Sequence, residues 1–238
     1  MLTFETAGCG SPIVFLYGCD VDSDSGTWRP IVERLPDGVS GVAVQIGSGQ
    51  IGDGAGPAVF GTIADALRVD LDVLQVDRPV VVGRSTAAGL AMNYAARHPV
   101  SGVVIVDRSP WLRPVAEFLQ GLAPDERRER LRQVFRRVFA PTSGSGVLER
   151  DATLALWEDA VRAAPDELQD RVNSTLAAVS APVLALFGRE LVAEERACLA
   201  HLPDVSVEEW PGRGDVVHLA EPDRFTERLL AFVGSCAA

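Results

Sequence analysis

Residues 80–89 read VVVGRSTAAG, and the fold turns on how those ten positions are understood. Val80, Val81 and Val82 are β-branched and apolar, which favours a short, fully buried strand. Gly83-Arg84-Ser85-Thr86-Ala87 forms a G-x-S-x-A turn, and a stretch rich in small residues follows that suits a helix. This order, strand, sharp turn around a serine, helix, lifts a hydroxyl out of the sheet. The helix start aims backbone N–H groups at negative charge developing beside that hydroxyl. Small residues flanking Ser85, Gly83 and Ala87, let strand and helix approach closely. The same residues also fit an ordinary βα unit with an unreactive serine, so the rest of the chain decides.

Around the turn, short apolar runs alternate with helical stretches. Strands are expected at 2–6, 13–16, 42–46, 80–82, 102–106, 183–187 and 205–209. Helices are expected near 28–35, at 63–74, where Leu67, Leu71 and Leu74 share a side, and at 224–233. Such βαβα alternation predicts a mostly parallel sheet covered by helices on both faces. Residues 110–178 break the pattern: they hold no strand candidate, only helical stretches at 115–122, 125–139, 152–163 and 166–178. An all-helical block between two strands reads as a cap. The chain therefore divides into an α/β core (1–109 and 179–238) and a helical cap (110–178).

Composition narrows the chemistry. All 22 basic residues are arginine, which excludes a lysine Schiff base and with it lysine-linked pyridoxal chemistry. A net charge of −11 argues against nucleic acid as a partner. The cysteines Cys9, Cys19, Cys198 and Cys236 lie far apart, and only His98, His201 and His218 supply imidazole, so neither a disulfide framework nor a metal centre is expected. No cofactor is expected either. No apolar run reaches about 18 residues and the first residues, MLTFETAG, lack a basic or apolar leader pattern, which reads as a cytoplasmic protein with no membrane partner.

With the serine turn, this order resembles the α/β-hydrolase superfamily over essentially the whole chain. IVFLYGCD (13–20) is similar to the strand whose following loop supplies an oxyanion N–H, with Tyr17 where histidine is usual and the Cys19 amide as donor. Gly26-Thr27-Trp28 matches the tryptophan that opens the first helix, and VVIVD (103–107) matches the strand before the cap. PVLALFGRE (182–190) and WPGRGDVVHLAEPDRF (210–225) match the strands that carry the acid and the histidine. The resemblance implies acyl transfer at Ser85, with the amides of Cys19 and Thr86 as the oxyanion hole.

The departures from that pattern concern the base and the acid. In the family the histidine follows G-x-G, seven residues before a proline; here Gly212-Arg213-Gly214 leads to Asp215, seven before Pro222. His218 comes three residues later, where relatives often carry a second, non-catalytic histidine. The aspartate expected at position 191 is Leu191, so Glu190 is the nearest carboxylate and Asp107 the other candidate acid. Three readings stay open. His218 is the base, oriented by Glu190 or Asp107; Asp215 itself takes the serine proton; or the serine is a relic in a protein that binds, cyclises or eliminates without a covalent intermediate. An atypical base activates water poorly, which fits an acyltransferase at least as well as a thioesterase or esterase.

Residues 125–137, DERRERLRQVFRR, set six arginines against three carboxylates. Arg128, Arg132 and Arg136 form one i, i+4 row. It is either a solvated helix face or a docking surface for an acidic carrier protein bearing a thioester. Trp111, Trp157, Phe118 and Leu122 are candidates for an apolar substrate pocket or simply for the cap's own core, and Tyr17 joins them as a substrate-side residue. Two patterns are set aside. The Gly47, Gly49, Gly52 match to G-x-G-x-x-G opens no helix, and the Asp20, Asp22, Asp24 run lacks the glutamate a calcium loop needs at position 31, which is Ile31.

Overall fold

The computed structural model describes residues 3–7, 11–17, 25–46, 58–123, 126, 129–130, 162–214 and 216–236. Seven strands form one sheet: β1 (Thr3–Ala7), β2 (Ser11–Tyr17), β3 (Val39–Gln45), β4 (Val80–Arg84), β5 (Gly102–Val106), β6 (Val183–Phe187) and β7 (Val205–Glu209). Their order is β1-β3-β2-β4-β5-β6-β7. Among the described residues only β1 runs antiparallel, against β3; the other six described strands are parallel. The α-helices are α1 (Arg29–Val32), α2 (Ala58–Val73), α3 (Ser85–Ala95), α4 (Arg113–Gln120), α5 (Pro165–Ala178), α6 (Ala193–Leu199), α7 (Val217–Ala220) and α8 (Pro222–Cys236).

Strand periodicity sorts the core into two layers. Val81, Val103 and Ile105 point to one face, where they pack with Leu67 and Leu71 of α2 and Leu90 of α3. Val82, Val104 and Val106 point to the other, against Trp28, Phe225 and Leu229. Both faces are covered, which is why β4, β5 and β6 are buried along their whole length; β5 and β6 read as unbroken apolar runs, and β4 is apolar up to Arg84. The first helix is shorter than its expected span: α1 ends at Val32, because Pro36 disfavours helical backbone at Leu35.

Of residues 110–178, expected as a cap, the two ends are described. Helices α4 and α5 match the stretches expected at 115–122 and 166–178; those expected at 125–139 and 152–163 lie almost wholly outside the described residues. Gln169 ties the ends together. Its Oε1 accepts from the amides of Leu112 (2.9 Å) and Arg113 (3.3 Å), while Nε2 donates to the Pro110 carbonyl (3.0 Å). This buried amide ties residues 110–113 to α5. Among the described residues no helix is long and apolar enough to cross a membrane.

Candidate functional site

The site grows from the turn between β4 and α3. Ser85 is the first residue of α3 and has φ +48°, a left-handed conformation that a non-glycine residue adopts at a cost of about 1–3 kcal/mol. Gly83 is the structural condition for it. A Cβ at position 83 would stand 2.4 Å from the Ala87 carbonyl oxygen and 2.7 Å from the Ala88 nitrogen, both main-chain atoms that cannot swing aside. Strand and helix thus touch backbone to backbone. Residues 80–84 and 86–88 are buried while Ser85 keeps partial exposure, so the crest presents that one residue. Thr86 lies in the first turn of α3, where an N–H takes its acceptor from outside the helix.

Three neighbouring strand ends converge beside it. Asp107 follows β5 and also has positive φ, +50°. Because Arg84 pairs with Val106 across the β4–β5 ladder, the next residues, Ser85 and Asp107, leave the sheet side by side. The Asp107 Oδ1 accepts a 2.7 Å hydrogen bond from the Gly188 amide at the end of β6. Gly188 in turn lies against Gly214: a Cβ there would fall 1.7 Å from the Gly214 carbonyl oxygen. The Gly188 carbonyl also accepts from the Arg213 amide at 3.2 Å. Arg213 pairs through its guanidinium with Glu221, which also holds Arg224 at 3.0 Å, so the 213–221 segment is clipped at its base. These arginines hold the Glu221 carboxyl below the usual carboxylate range, Arg224 contributing most.

His218 lies elsewhere. Its ring is fully buried in the layer opposite α3, 4.5 Å from the Trp28 ring and 5.9 Å from Phe225 between centroids. Neither ring nitrogen makes a hydrogen bond of good geometry, although the Thr27 backbone stands close, so no bond joins His218 to Ser85. Burial first, and the Arg84 guanidinium second, hold its pKa down to about 3. Arg84 precedes the serine in β4 and, by strand alternation, points into this same layer, which explains its influence on the ring.

This ring gives the first expected result. An unfolded histidine titrates near 6.5, so below that pH the unfolded chain takes up a proton that the folded chain refuses until about pH 3. The histidine costs nothing above pH 6.5; as pH falls through that window, stability is lost at about 1.4 kcal/mol per pH unit. In urea titrations, wild type should lose about 2.3 kcal/mol more than His218→Leu between pH 6.5 and 4.5. Equal losses would show that some other group carries the acid limb.

The remaining sequence-derived candidates are distributed as follows. Tyr17 ends β2 buried with Trp28 in the layer opposite α3, and its carbonyl accepts from the Ile46 amide at 2.8 Å. Trp111 is partly buried against the α3 layer. Glu190 is exposed after β6, and the nearby buried carboxylate is Glu195, held by two bonds from Arg189 at 2.7 and 2.5 Å. Cys19, Asp215, Trp157, Arg128, Arg132 and Arg136 lie outside the described residues. The sequence reading missed the Gly188–Gly214 approach and the Arg213–Glu221 clip; the glycines of FGRE and WPGRGD were the available signal.

A family model described as the alpha/beta hydrolase family matches residues 13–228. The chain belongs to the alpha/beta hydrolase family. Among curated relatives, a protein of Mycobacterium phage D29 provisionally named a non-heme haloperoxidase is 31% identical over 108 residues, 43% of this chain and 38% of its own length. The chain thus spans well under half the length of the curated relatives it matches. Among solved structures, an enzyme of Pseudomonas aeruginosa provisionally named an epoxide hydrolase superposes with TM-score 0.74 at 19% identity, covering 99% of this chain and 92% of that one. A thermophilic esterase from Thermogutta terrifontis gives 0.64 at 21% identity, covering 100% and 94%. At these identities the hydrolase neighbours share the fold.

Proposed function

We propose that this family member is a serine-dependent acyl-transfer enzyme. The observation that carries the reading is the strained, partly exposed Ser85 set on a buried elbow whose glycine admits no Cβ. Strain of this kind at one accessible hydroxyl points to function, since an inert serine in a βα turn has no need of it. The Ser85 Oγ attacks the carbonyl carbon of an apolar ester or thioester, the amides of Thr86 and Cys19 hold the developing oxyanion, and the alcohol or thiol leaves with a proton. The acyl group then passes from Ser85 to an acceptor. His218, buried and neutral with no bond to Ser85, is poorly placed to take the serine proton. Asp215, the residue after Gly214 in the sequence, is the proposed acceptor. A carboxylate there activates water weakly, which favours transfer to a thiol or amine over hydrolysis.

Partition tests this directly. With p-nitrophenyl hexanoate and a thiol or amine acceptor, transfer product should exceed free acid; free acid alone at every acceptor concentration would make the protein a plain esterase. The Arg128, Arg132, Arg136 row of the sequence is the proposed dock for an acidic carrier protein. Changing all three to glutamine should raise KM for a carrier-bound thioester about tenfold at low salt, with the difference fading above about 0.5 M and small esters unaffected. Equal KM values would remove the carrier. A second reading draws on the burial of His218: a non-covalent member with a relic serine, which retains activity as Ser85→Ala.

A further inference from the structure

Asp107 was a candidate acid for a histidine, but its geometry gives it another task. His218, the histidine expected as base, makes no hydrogen bond through either ring nitrogen, so it does not receive the Asp107 carboxylate. The carboxylate oxygen Oδ1 is instead spent on main chain, the Gly188 amide, at 2.7 Å. To reach it, Asp107 adopts φ +50°, beside Ser85 at +48° on the adjoining strand. Gly188 is packed against Gly214 so closely that no side-chain atom fits between them, and the residue after Gly214 is Asp215. Ser85, Asp107, Gly188 and Gly214 therefore form one continuous row along the sheet crest, with the Asp107 carboxylate as the link between the β5 end and Gly188.

We infer that Asp107 is a positioning residue: by capping the Gly188 amide it fixes how far the Gly212–Gly214 turn stands from the Ser85 crest. This rests on the proposed acyl transfer at Ser85. The requirements are an acceptor atom at Oδ1 and tolerance of positive φ; a negative charge is not one of them. Asparagine meets both, since its amide oxygen accepts and it enters the left-handed region readily. Glycine meets only the second, and alanine meets neither.

The experiment reads the rate at which a fluorophosphonate labels each purified variant, with Tm measured alongside. Asp107→Asn should label within about threefold of wild type. Asp107→Gly should label about 10²-fold more slowly, the usual consequence of an ångström of misplacement near a nucleophile, while keeping a cooperative unfolding transition. A loss of about 10⁴-fold in Asp107→Asn would instead identify a charge-dependent triad acid and overturn the inference. Equal rates in Asp107→Asn and Asp107→Gly would overturn it as well, because the Gly188 bond would then matter to nothing. Should wild type itself fail to label, the reading of Ser85 falls first, so the two failures are told apart. Asp107→Ala is omitted from the decision because it combines lost acceptor and backbone strain.

Discussion

Ser85→Ala should lower turnover of an activated ester by about 10³-fold or more while leaving Tm within a few degrees of wild type. The size follows from the chemistry: without the hydroxyl there is no covalent intermediate, and only oxyanion stabilisation and binding remain. The unchanged stability follows from the backbone, since alanine in the left-handed conformation at position 85 suffers the same strain as serine. Ser85→Gly sharpens the point. It relieves about 1–2 kcal/mol of strain and adds about 0.5–1 kcal/mol of unfolded-state freedom, so it should be equally or slightly more stable and equally inactive. A protein that is inactive but no less stable is the expected signature of strain kept for function. Activity within threefold of wild type in both variants would support the non-covalent reading.

The second large effect is structural. Gly188→Ala places a methyl group 1.7 Å from the Gly214 carbonyl oxygen and 2.8 Å from its carbonyl carbon, so main chain must move rather than a side chain. We expect a destabilisation of about 3 kcal/mol or more, which for a domain of this size is a fall in Tm of about 6–12 °C. Two contacts would be lost with it, the Gly188 amide to Asp107 and the Gly188 carbonyl to the Arg213 amide. Activity should fall further than stability explains, because the turn leading to Asp215 shifts. An unchanged Tm in a thermal melt would show that the main chain at Gly188 and Gly214 yields to a methyl group without cost, against this expectation.

The sheet was most legible in the sequence where burial is complete. The wholly buried strands β5 and β6 match the expected segments at both ends and β4 matches at its start, because the runs are short, rich in apolar and β-branched residues, and closed by turn residues. The half-exposed edge strand β7 also matches, on its Val205 and Val207 alternation. Helix α6 was not expected. Its N-cap is Val192, not a serine, threonine, aspartate or asparagine, and the signal was instead Glu195, whose carboxylate accepts from the Val192 amide at 3.1 Å. The serine turn was readable because glycine, serine and alanine at fixed spacing report a local steric demand.

The base was not readable for the opposite reason. Whether a histidine sits in a cleft or a core depends on residues remote in sequence; Trp28, 190 positions before His218, decides it. The positive φ of Asp107 left no mark in sequence either, since aspartate is ordinary at a strand end and only the Gly188 amide reveals why it bends there.

The claim beneath all of this is that the Ser85 oxygen forms an ester with the acyl group. Acid-quenching the enzyme during turnover of p-nitrophenyl hexanoate and mapping its peptides by mass tests that claim most directly. The account predicts a hexanoyl adduct on the peptide containing Ser85, absent from Ser85→Ala. Undiminished turnover with that peptide unmodified, or an adduct confined to another residue, would contradict it.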